Sequence, residues 1–368
     1  MAALAAKTSR RAGIQVLYQT PATGLVQNPQ TSEILGVIAT TATGGTATNP
    51  GTNSGTPIYV KASKAVILTL GGYENNPQML RDFCQLANGG PHGTPYNTGD
   101  GIPMVQQVGA ALWHMDNISG SGLGFQPTPT SPFFGLSMPA AGGFIYIGAD
   151  GARFVNESVS SHHGKIPFNY VANPTITANT TWIPFPTPFP IHVIFDDTTR
   201  KAGPITPLPN ASSLGWNVVR GIYTWSSDNS VEISNGWIKT ADTLQDLAPL
   251  INRDPTQLSS VVAQYNSYCA AGVDSQFGRP KTALIAIQTP PYYAVSLQYH
   301  MFNTQGGAKR NTKAQVVDAN NSPIPRLYSA GEFGSIYSWE YNGGGNLGET
   351  VAFGTIAGKA AAQETSWG

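Results

Sequence analysis

The sequence predicts an α/β fold that carries a second, loop-rich domain, on three observations. Residues 65–70, Ala-Val-Ile-Leu-Thr-Leu, are apolar on both faces, the pattern of a strand covered on two sides and hence of a parallel sheet. From residue 327 a short apolar strand feeds a small-residue turn ending in Glu332, and the glycine run 343–345 opens a helix that lasts almost to the chain end. The 368 residues suffice for two domains with cores of their own, and from residue 116 the texture changes to Gly/Ser/Pro-rich loops.

Composition narrows the partners. Twenty basic residues balance 20 acidic ones, so no electrostatic footprint for nucleic acid or an anionic membrane is present. No run of eighteen apolar residues occurs, and residues 1–13 lack the apolar core of a signal peptide, so the chain reads as soluble, with no compartment implied. Cys84 and Cys269 are too few for a metal cluster or a disulfide framework; no metal is expected, and both should be buried thiols.

Taken in order, residues 2–11 form a short helix candidate closed by Gly13, and 14–18 alternate as a strand. Residues 24–27, 34–39 and 58–61 make a meander, the last strand reached across a low-complexity loop over 40–57. The strand at 65–70 ends in Gly71-Gly72-Tyr73-Glu74, a backbone turn where a ligand can lie against the carboxyl edge of a sheet. Asn97-Thr98-Gly99-Asp100-Gly101 precedes an apolar-periodic helix over 102–112, with Pro103 in its first turn and Thr98 or Asp100 as N-cap. Strands follow at 143–147 and 192–196, a helix at 255–271 and a strand at 314–318. In the last helix Gly354 and Gly358 lie one turn apart, each costing roughly 1 kcal/mol against alanine, so a closely packed neighbour is expected there.

The first turn of a helix has unpaired N–H groups and a partial positive charge, and preceding glycines let a ligand approach the backbone, so the C-terminal segment suits an anionic or electron-rich ligand. Gly343, Gly345 and Gly348 literally fit G-x-G-x-x-G, but that fingerprint needs a strand directly before it and a strand-helix-strand unit around it. A different likeness is more specific. Ser329-Ala-Gly-Glu332, the Gly-Gly-x-Asn helix start and Phe353-Gly-x-Ile-Ala-Gly-x-Ala-Ala resemble the C-terminal flavin segment of the fumarate reductase and 3-ketosteroid dehydrogenase flavoproteins. Asn-Thr-Gly-Asp-Gly-Ile-x-Met at 97–104, Gly71-Gly72 and Arg153-Phe-Val-Asn156-Glu157 are similar to further signatures of that family, although Thr69-Leu70 stands where it has Ala-Thr.

This resemblance spans nearly the whole chain. It implies a partial flavin-binding Rossmann-like domain interrupted by an α+β capping domain: 1–124 the first, incomplete flavin segment, 125–298 the cap that closes on substrate, and 299–368 the C-terminal flavin segment. It implies FAD as cofactor, bound through Gly71, Gly72, Thr98, Gly99, Asp100, Glu332, Asn346 and Leu347. A complete member begins with a strand, a true G-x-G-x-x-G turn and a helix that hold the pyrophosphate. Nothing before Ile14 provides these, so Met1 is expected to be an internal start, and this chain alone to hold little FAD.

Members that handle dicarboxylates have an arginine after the Asn-Glu run, a histidine ahead of the Gly306-Gly307 return and a second arginine before the flavin helix. Here the matching positions are Ser161, Asn303 and Tyr341, with His162 and His163 as partial substitutes for the first. A dianion would forfeit charge-assisted hydrogen bonds worth roughly 1.5–3 kcal/mol each, so a small apolar carbonyl compound is the expected substrate. Tyr341-Asn-Gly-Gly-Gly345 instead resembles the Tyr-Pro-Gly-x-Gly of 3-ketosteroid dehydrogenases, with Asn342 in place of proline. That likeness implies a catalytic pair, the Tyr341 hydroxyl and the Gly345 N–H, polarising a ketone as an oxyanion hole does. The family's base is a cap tyrosine, for which Tyr170, Tyr223, Tyr292, Tyr293 and Tyr299 are the candidates. The expected activity is dehydrogenation or ene-reduction next to a carbonyl on an apolar, steroid-like substrate. Two other readings compete with it: a fumarate reductase-like enzyme for another unsaturated acid, and a non-catalytic remnant that serves as a binding or structural module.

Overall fold

The computed structural model describes residues 11, 13–44, 52–53, 55–86, 89–91, 93–120, 122–128, 131, 133–159, 163–167, 171, 182–206, 223–339, 341 and 343–367. Apart from Arg11, the expected helix over 2–11 lies outside them. Along the chain the elements that position the site are β1 (Ala22–Gln27), β2 (Ile34–Ala39), β3 (Ile58–Lys61), β4 (Val66–Leu68), α1 (Pro77–Cys84), α2 (Gly101–Gln107), β5 (Gly122–Phe125), β6 (Phe144–Ile147) and β7 (Ile191–Asp196). They continue with α3 (Leu244–Leu250), α4 (Pro255–Ala271), β8 (Tyr292–Met301), β9 (Gln315–Val317), β10 (Pro323–Ser329) and α5 (Gly345–Gln363).

β1, β2 and β3 form the expected antiparallel meander. Residues 14–18 do not form a strand. Ile14 is 46% and Tyr18 80% exposed, so the alternation there has neither a buried face nor a ladder to join.

β4 runs parallel to β10, Val66 opposite Leu327, and β9 pairs antiparallel with the other edge of β10. The parallel direction is the one its apolar run implied, but the strand is shorter than 65–70 and open in the middle, with Val66 and Leu68 buried and Ile67 37% exposed. One face of this sheet packs against the meander and α2 through Leu25, Ile34, Ile102, Val105 and Phe333. The other receives α5, where Tyr328 and Ala357 form a small core with Phe353 and Ile356. α2 stops at Gln107 instead of 112, because Gly109 turns the chain with φ +80° and Ala110 leaves to bridge Asp318.

Gly354 and Gly358 do not have the close neighbour expected of them. Among the described residues a Cβ on either would meet nothing within 4 Å, and Leu347 and Val351 are 58% and 55% exposed. The helix buries Glu349 and Ala357, and the glycines lie away from that face.

A second, seven-stranded sheet is built around the ten residues of β8, which has β5 on one side and β7, then β6, on the other. Separate apolar cores cover its two faces. α4 matches its sequence expectation at both ends: the Asp254 side chain accepts from the Gln257 N–H, Pro255 opens the first turn, and Gly272 closes the helix with φ +69°. Arg153 and Glu157, from the Arg-Phe-Val-Asn-Glu run, form a buried ion pair at 2.7 Å that Asp274 (2.9 Å) and Arg279 (3.3 Å) extend. That network knits the loop after β6 to the end of α4. The result is a mixed α/β structure, and among the described residues no helix is long and apolar enough to cross a membrane.

Candidate cofactor and active site

The glycine turn after β4 is held by a ring of polar side chains drawn from three distant segments. Gly71 has φ +74°, and a Cβ there would collide with the Asn97 side chain. The Gly72 N–H donates to Glu332 Oε1 (3.2 Å), and the Gly99 N–H donates to the Gly72 carbonyl (3.2 Å). Asn97 Nδ2 donates to both Glu332 Oε1 (2.8 Å) and Glu74 Oε1 (2.6 Å). The Thr304 N–H and hydroxyl both donate to Glu74 Oε2 at 3.2 Å. Gly71, Gly72, Gly99 and Glu332, four of the residues expected at the cofactor, are thus brought to one place.

Thr98 and Asp100 lie on the outside of this ring. The Thr98 hydroxyl donates to Asp100 Oδ1 (2.8 Å), and Asp100 takes the N-cap position of α2, one of the two expected, with no side-chain capping bond among the described residues. The carboxylate is turned back to Thr98, while the Ile102 N–H finds the Gly99 carbonyl (3.0 Å).

Glu74 and Glu332 share one amide, and among the described residues neither makes a salt bridge. Burial pushes the Glu74 carboxyl up to about 7, against the hydrogen bonds from Asn97 and Thr304. Burial, and after it the charge of Glu74, pushes Glu332 up to about 8. Two carboxylates at this spacing do not both ionise cheaply, so the pair holds a proton at neutral pH.

Arg310 ties the turn at 329–336 to α5. Its guanidinium donates to the carbonyls of Phe333 (3.1 Å) and Gly331 (3.0 Å) and to Glu349, in the first turns of α5. Glu349 also accepts from the Ser335 hydroxyl (2.6 Å) and the Ile336 N–H (2.9 Å). Both side chains are buried, and burial lowers the Arg310 pKa despite the carboxylate beside it.

The entrance of α5 is open. Gly344 precedes it with φ +80°, and among the described residues it has no side-chain cap and a Cβ on Gly343, Gly344 or Gly348 would meet nothing within 4 Å. At Gly345 a Cβ would strike the end of the Tyr337 ring, so a larger residue there would require that ring to move. Buried Tyr341 lies under the helix start, its hydroxyl oxygen accepting from the Asn346 N–H (3.0 Å). The His163 ring meets Tyr341 edge-on at 4.7 Å, and His163 Nδ1 is 3.4 Å from the Ser119 hydroxyl. Asn346 Nδ2 donates to Asn303 Oδ1, and Gln305 Nε2 donates to Asn346 Oδ1, both at 3.1 Å. Leu347 is exposed.

Thr304 and Gln305, adjacent in sequence, therefore join the glycine-turn ring to the helix entrance. Among the described residues Gln305 Oε1 is buried without a hydrogen-bond partner, an acceptor left over beside an entrance walled by glycines. An unfilled polar position next to accessible helix N–H groups fits a flat, polar ring system such as a flavin.

Ser161, His162, Tyr170 and Asn342 lie outside the described residues. Of the other tyrosines, Tyr223 donates to Glu232 (2.7 Å) and Tyr293 to Asp197 (3.1 Å), and Tyr292 lies opposite Asp196 on β7. Tyr299 is different: its hydroxyl occupies the space that a Cβ on Gly164 would need, next to His163. Sequence reasoning gave no role to Glu74, Asn97, Thr304, Gln305, Arg310 or Glu349. One signal was available, since an arginine just after the Gly306-Gly307 return and a glutamate inside an apolar helix are conspicuous in a chain with 11% charged residues.

The parallel strand β4 ends in the double glycine, and the glycine-opened α5 packs beside it. The chain belongs to the FAD-binding domain family, whose profile matches residues 1–347, and the family implies FAD as the cofactor. A 3-oxosteroid 1-dehydrogenase of Mycolicibacterium smegmatis is 27% identical over 370 residues, covering 95% of this chain and 59% of that protein. A fumarate reductase (cytochrome) of Shewanella frigidimarina is 30% identical over 311 residues, 83% of this chain and 46% of that one. Among solved structures, the 3-ketosteroid Δ1-dehydrogenase of Sterolibacterium denitrificans superposes with a TM-score of 0.66 at 24% identity, covering 94% of this chain and 59% of that one. An open flavocytochrome c3 fumarate reductase gives 0.63 at 24% identity, covering 97% and 54%. The chain thus spans about half to three fifths of the length of these proteins.

Proposed function

We propose that this chain serves an FAD-dependent oxidoreductase acting on a CH–CH bond next to a carbonyl of an apolar substrate. The observation that carries this reading is the placement of Tyr341. Its oxygen accepts from the Asn346 N–H, so its own proton is left to donate outward, beside the Gly345 N–H at the positive end of α5. Two donors at one point suit an oxygen on which enolate charge develops. When bound, the flavin supplies or takes the hydride at the neighbouring carbon. Tyr299 is the proton-transfer residue we favour among the tyrosines. Burial raises its pKa, which keeps it protonated and favours the donating direction, ene-reduction. Asn303 and Tyr341 are neutral where dicarboxylate-handling relatives would need cations, which argues against fumarate.

In the same proposal, residues 1–124 and 299–368 make up the flavin part and 125–298 the cap. The pairing of β4 with β10 and the shared core of α2, β4 and β10 support it. Tyr341→Phe in the flavin-loaded protein should leave the bound-flavin spectrum unchanged and lower turnover of a 3-ketosteroid or simpler enone by roughly 100- to 1000-fold, the usual loss for one oxyanion donor. Near-normal turnover would remove Tyr341 from the catalytic pair. Fumarate reduction by the parent protein would overturn the substrate class.

A further inference from the structure

The side-chain amides of Asn303, Asn346 and Gln305 are joined end to end, and the direction of this chain is set from one end. Asn303 Nδ2 donates to the Thr304 carbonyl (3.2 Å), so its Oδ1 is the atom that faces Asn346. Asn346 therefore presents Nδ2 to Asn303 and keeps Oδ1 for Gln305, whose Nε2 donates to it, each bond being 3.1 Å long. Turning the amides over would set oxygen against oxygen at the Thr304 carbonyl, which can only accept. The last atom of the chain is in consequence an oxygen, Gln305 Oε1, buried and, among the described residues, without a hydrogen-bond partner.

Its mounting is fixed on both sides. The Gln305 N–H donates to the Asn117 carbonyl and the Gln305 carbonyl accepts from the Ser335 N–H, both at 2.9 Å, and the residue is 0% exposed. Oε1 belongs to the same planar amide whose nitrogen is bonded to Asn346, the second residue of α5, which places it at the helix entrance. The groups around that entrance are of the opposite kind, since the first-turn N–H groups of α5 and the Tyr341 hydroxyl are donors. A buried acceptor without a partner destabilises the free protein, and a ligand that offers an N–H between two oxygens would satisfy it and the donors together.

We propose that Gln305 is a cofactor-binding residue whose Oε1 accepts from the imide N–H of the flavin, with Asn303 and Asn346 as the positioning residues that fix its polarity. The imide is the only N–H of the oxidised ring system and lies between two carbonyls, so that edge reads acceptor, donor, acceptor. This contact goes beyond the proposed reaction, because it concerns how the ring is held and is independent of the substrate.

Titration of the flavin-free protein with FAD and with its imide-N-methyl analogue, followed by quenching of flavin fluorescence, tests this without turnover. The parent should bind FAD about three- to tenfold more tightly than the methylated cofactor, the scale of one neutral hydrogen bond. Gln305→Met should bind the two flavins equally, with its affinity for the methylated one unchanged from the parent, which also reports that the variant is folded. A preference caused by the bulk of the methyl group would survive that substitution. Asn303→Leu frees the amide chain to reverse and should reduce the preference, whereas Asn303→Asp still presents an oxygen to Asn346 and should keep it. Equal affinity of the parent for the two flavins, a preference that survives Gln305→Met or is unchanged in Asn303→Leu, or no binding of FAD overturns the proposal. Absence of enone turnover with the preference intact would refute the proposed reaction and leave this contact standing.

Discussion

Glu74→Gln removes the buried one of two carboxyls that compete for Asn97, and its effect on stability should depend on pH. The folded-state pKa of Glu74 is raised from 4.5 to about 7. A group raised on folding binds its proton more tightly in the native state, so its contribution to stability is fully present below the unfolded pKa and drains away as pH rises through the folded one. For Glu74 that window runs from 4.5 to about 7, and the difference corresponds to about 3 kcal/mol lost across it. Glutamine cannot ionise, and its amide can keep the Thr304 bonds if the Asn97 amide turns to accept from it. Near pH 5 the variant should lie within about 1 kcal/mol of the parent, the scale of a rearranged hydrogen bond. At pH 9 it should be the more stable protein by roughly 1–3 kcal/mol. Urea midpoints at pH 5, 7 and 9 and constant ionic strength measure this directly. A difference between the two proteins that stays constant from pH 5 to 9 would show that Glu74 titrates alike in both states, and the shared-proton argument would fall.

Two further perturbations probe the frame around the site. Arg310→Met strands Glu349 and should cost roughly 3–5 kcal/mol in urea unfolding, with partial recovery in Arg310→Met/Glu349→Leu; a single-variant cost below about 1 kcal/mol would mean that the pair is solvated. Gly354→Ala and Gly358→Ala should each stabilise α5 by up to about 1 kcal/mol, because a Cβ at either meets open space, and a lowered melting temperature would reveal a neighbour on that face.

What the sequence made legible was local. α4 has its cap, its first-turn proline and its terminal glycine within the consecutive stretch Asp254–Gly272, and it forms where those signals put it. The two glycine turns were legible for the same reason, since each is a run of a few residues with special backbone needs. Residues 14–18 had the right alternation but no partner, and a strand exists only as half of a ladder. α2 ended early because a positive φ at Gly109 outweighed the apolar spacing beyond it. The ring around Glu74 was illegible for a different reason: Asn97, Thr304 and Glu332 are ordinary polar residues until the fold brings three distant segments within hydrogen-bond reach. Gln305 is similar, because nothing beside it in sequence announces that Asn346 will hold its amide.

The pairing of Val66 with Leu327 has a consequence for how the molecule is made. During synthesis β4 emerges well before its hydrogen-bonding partner, which follows only after residues 69–326 have been translated. The seven-stranded sheet, whose described strands all lie between Gly89 and Met301, can close first, as domains tend to do while the ribosome is still adding chain. Until then the β4 edge and the apolar side chains of the meander lack most of their cover. Closing so long a loop is slow relative to local pairing, so the nascent segment that holds the meander and β4 is where chaperone binding or aggregation would start.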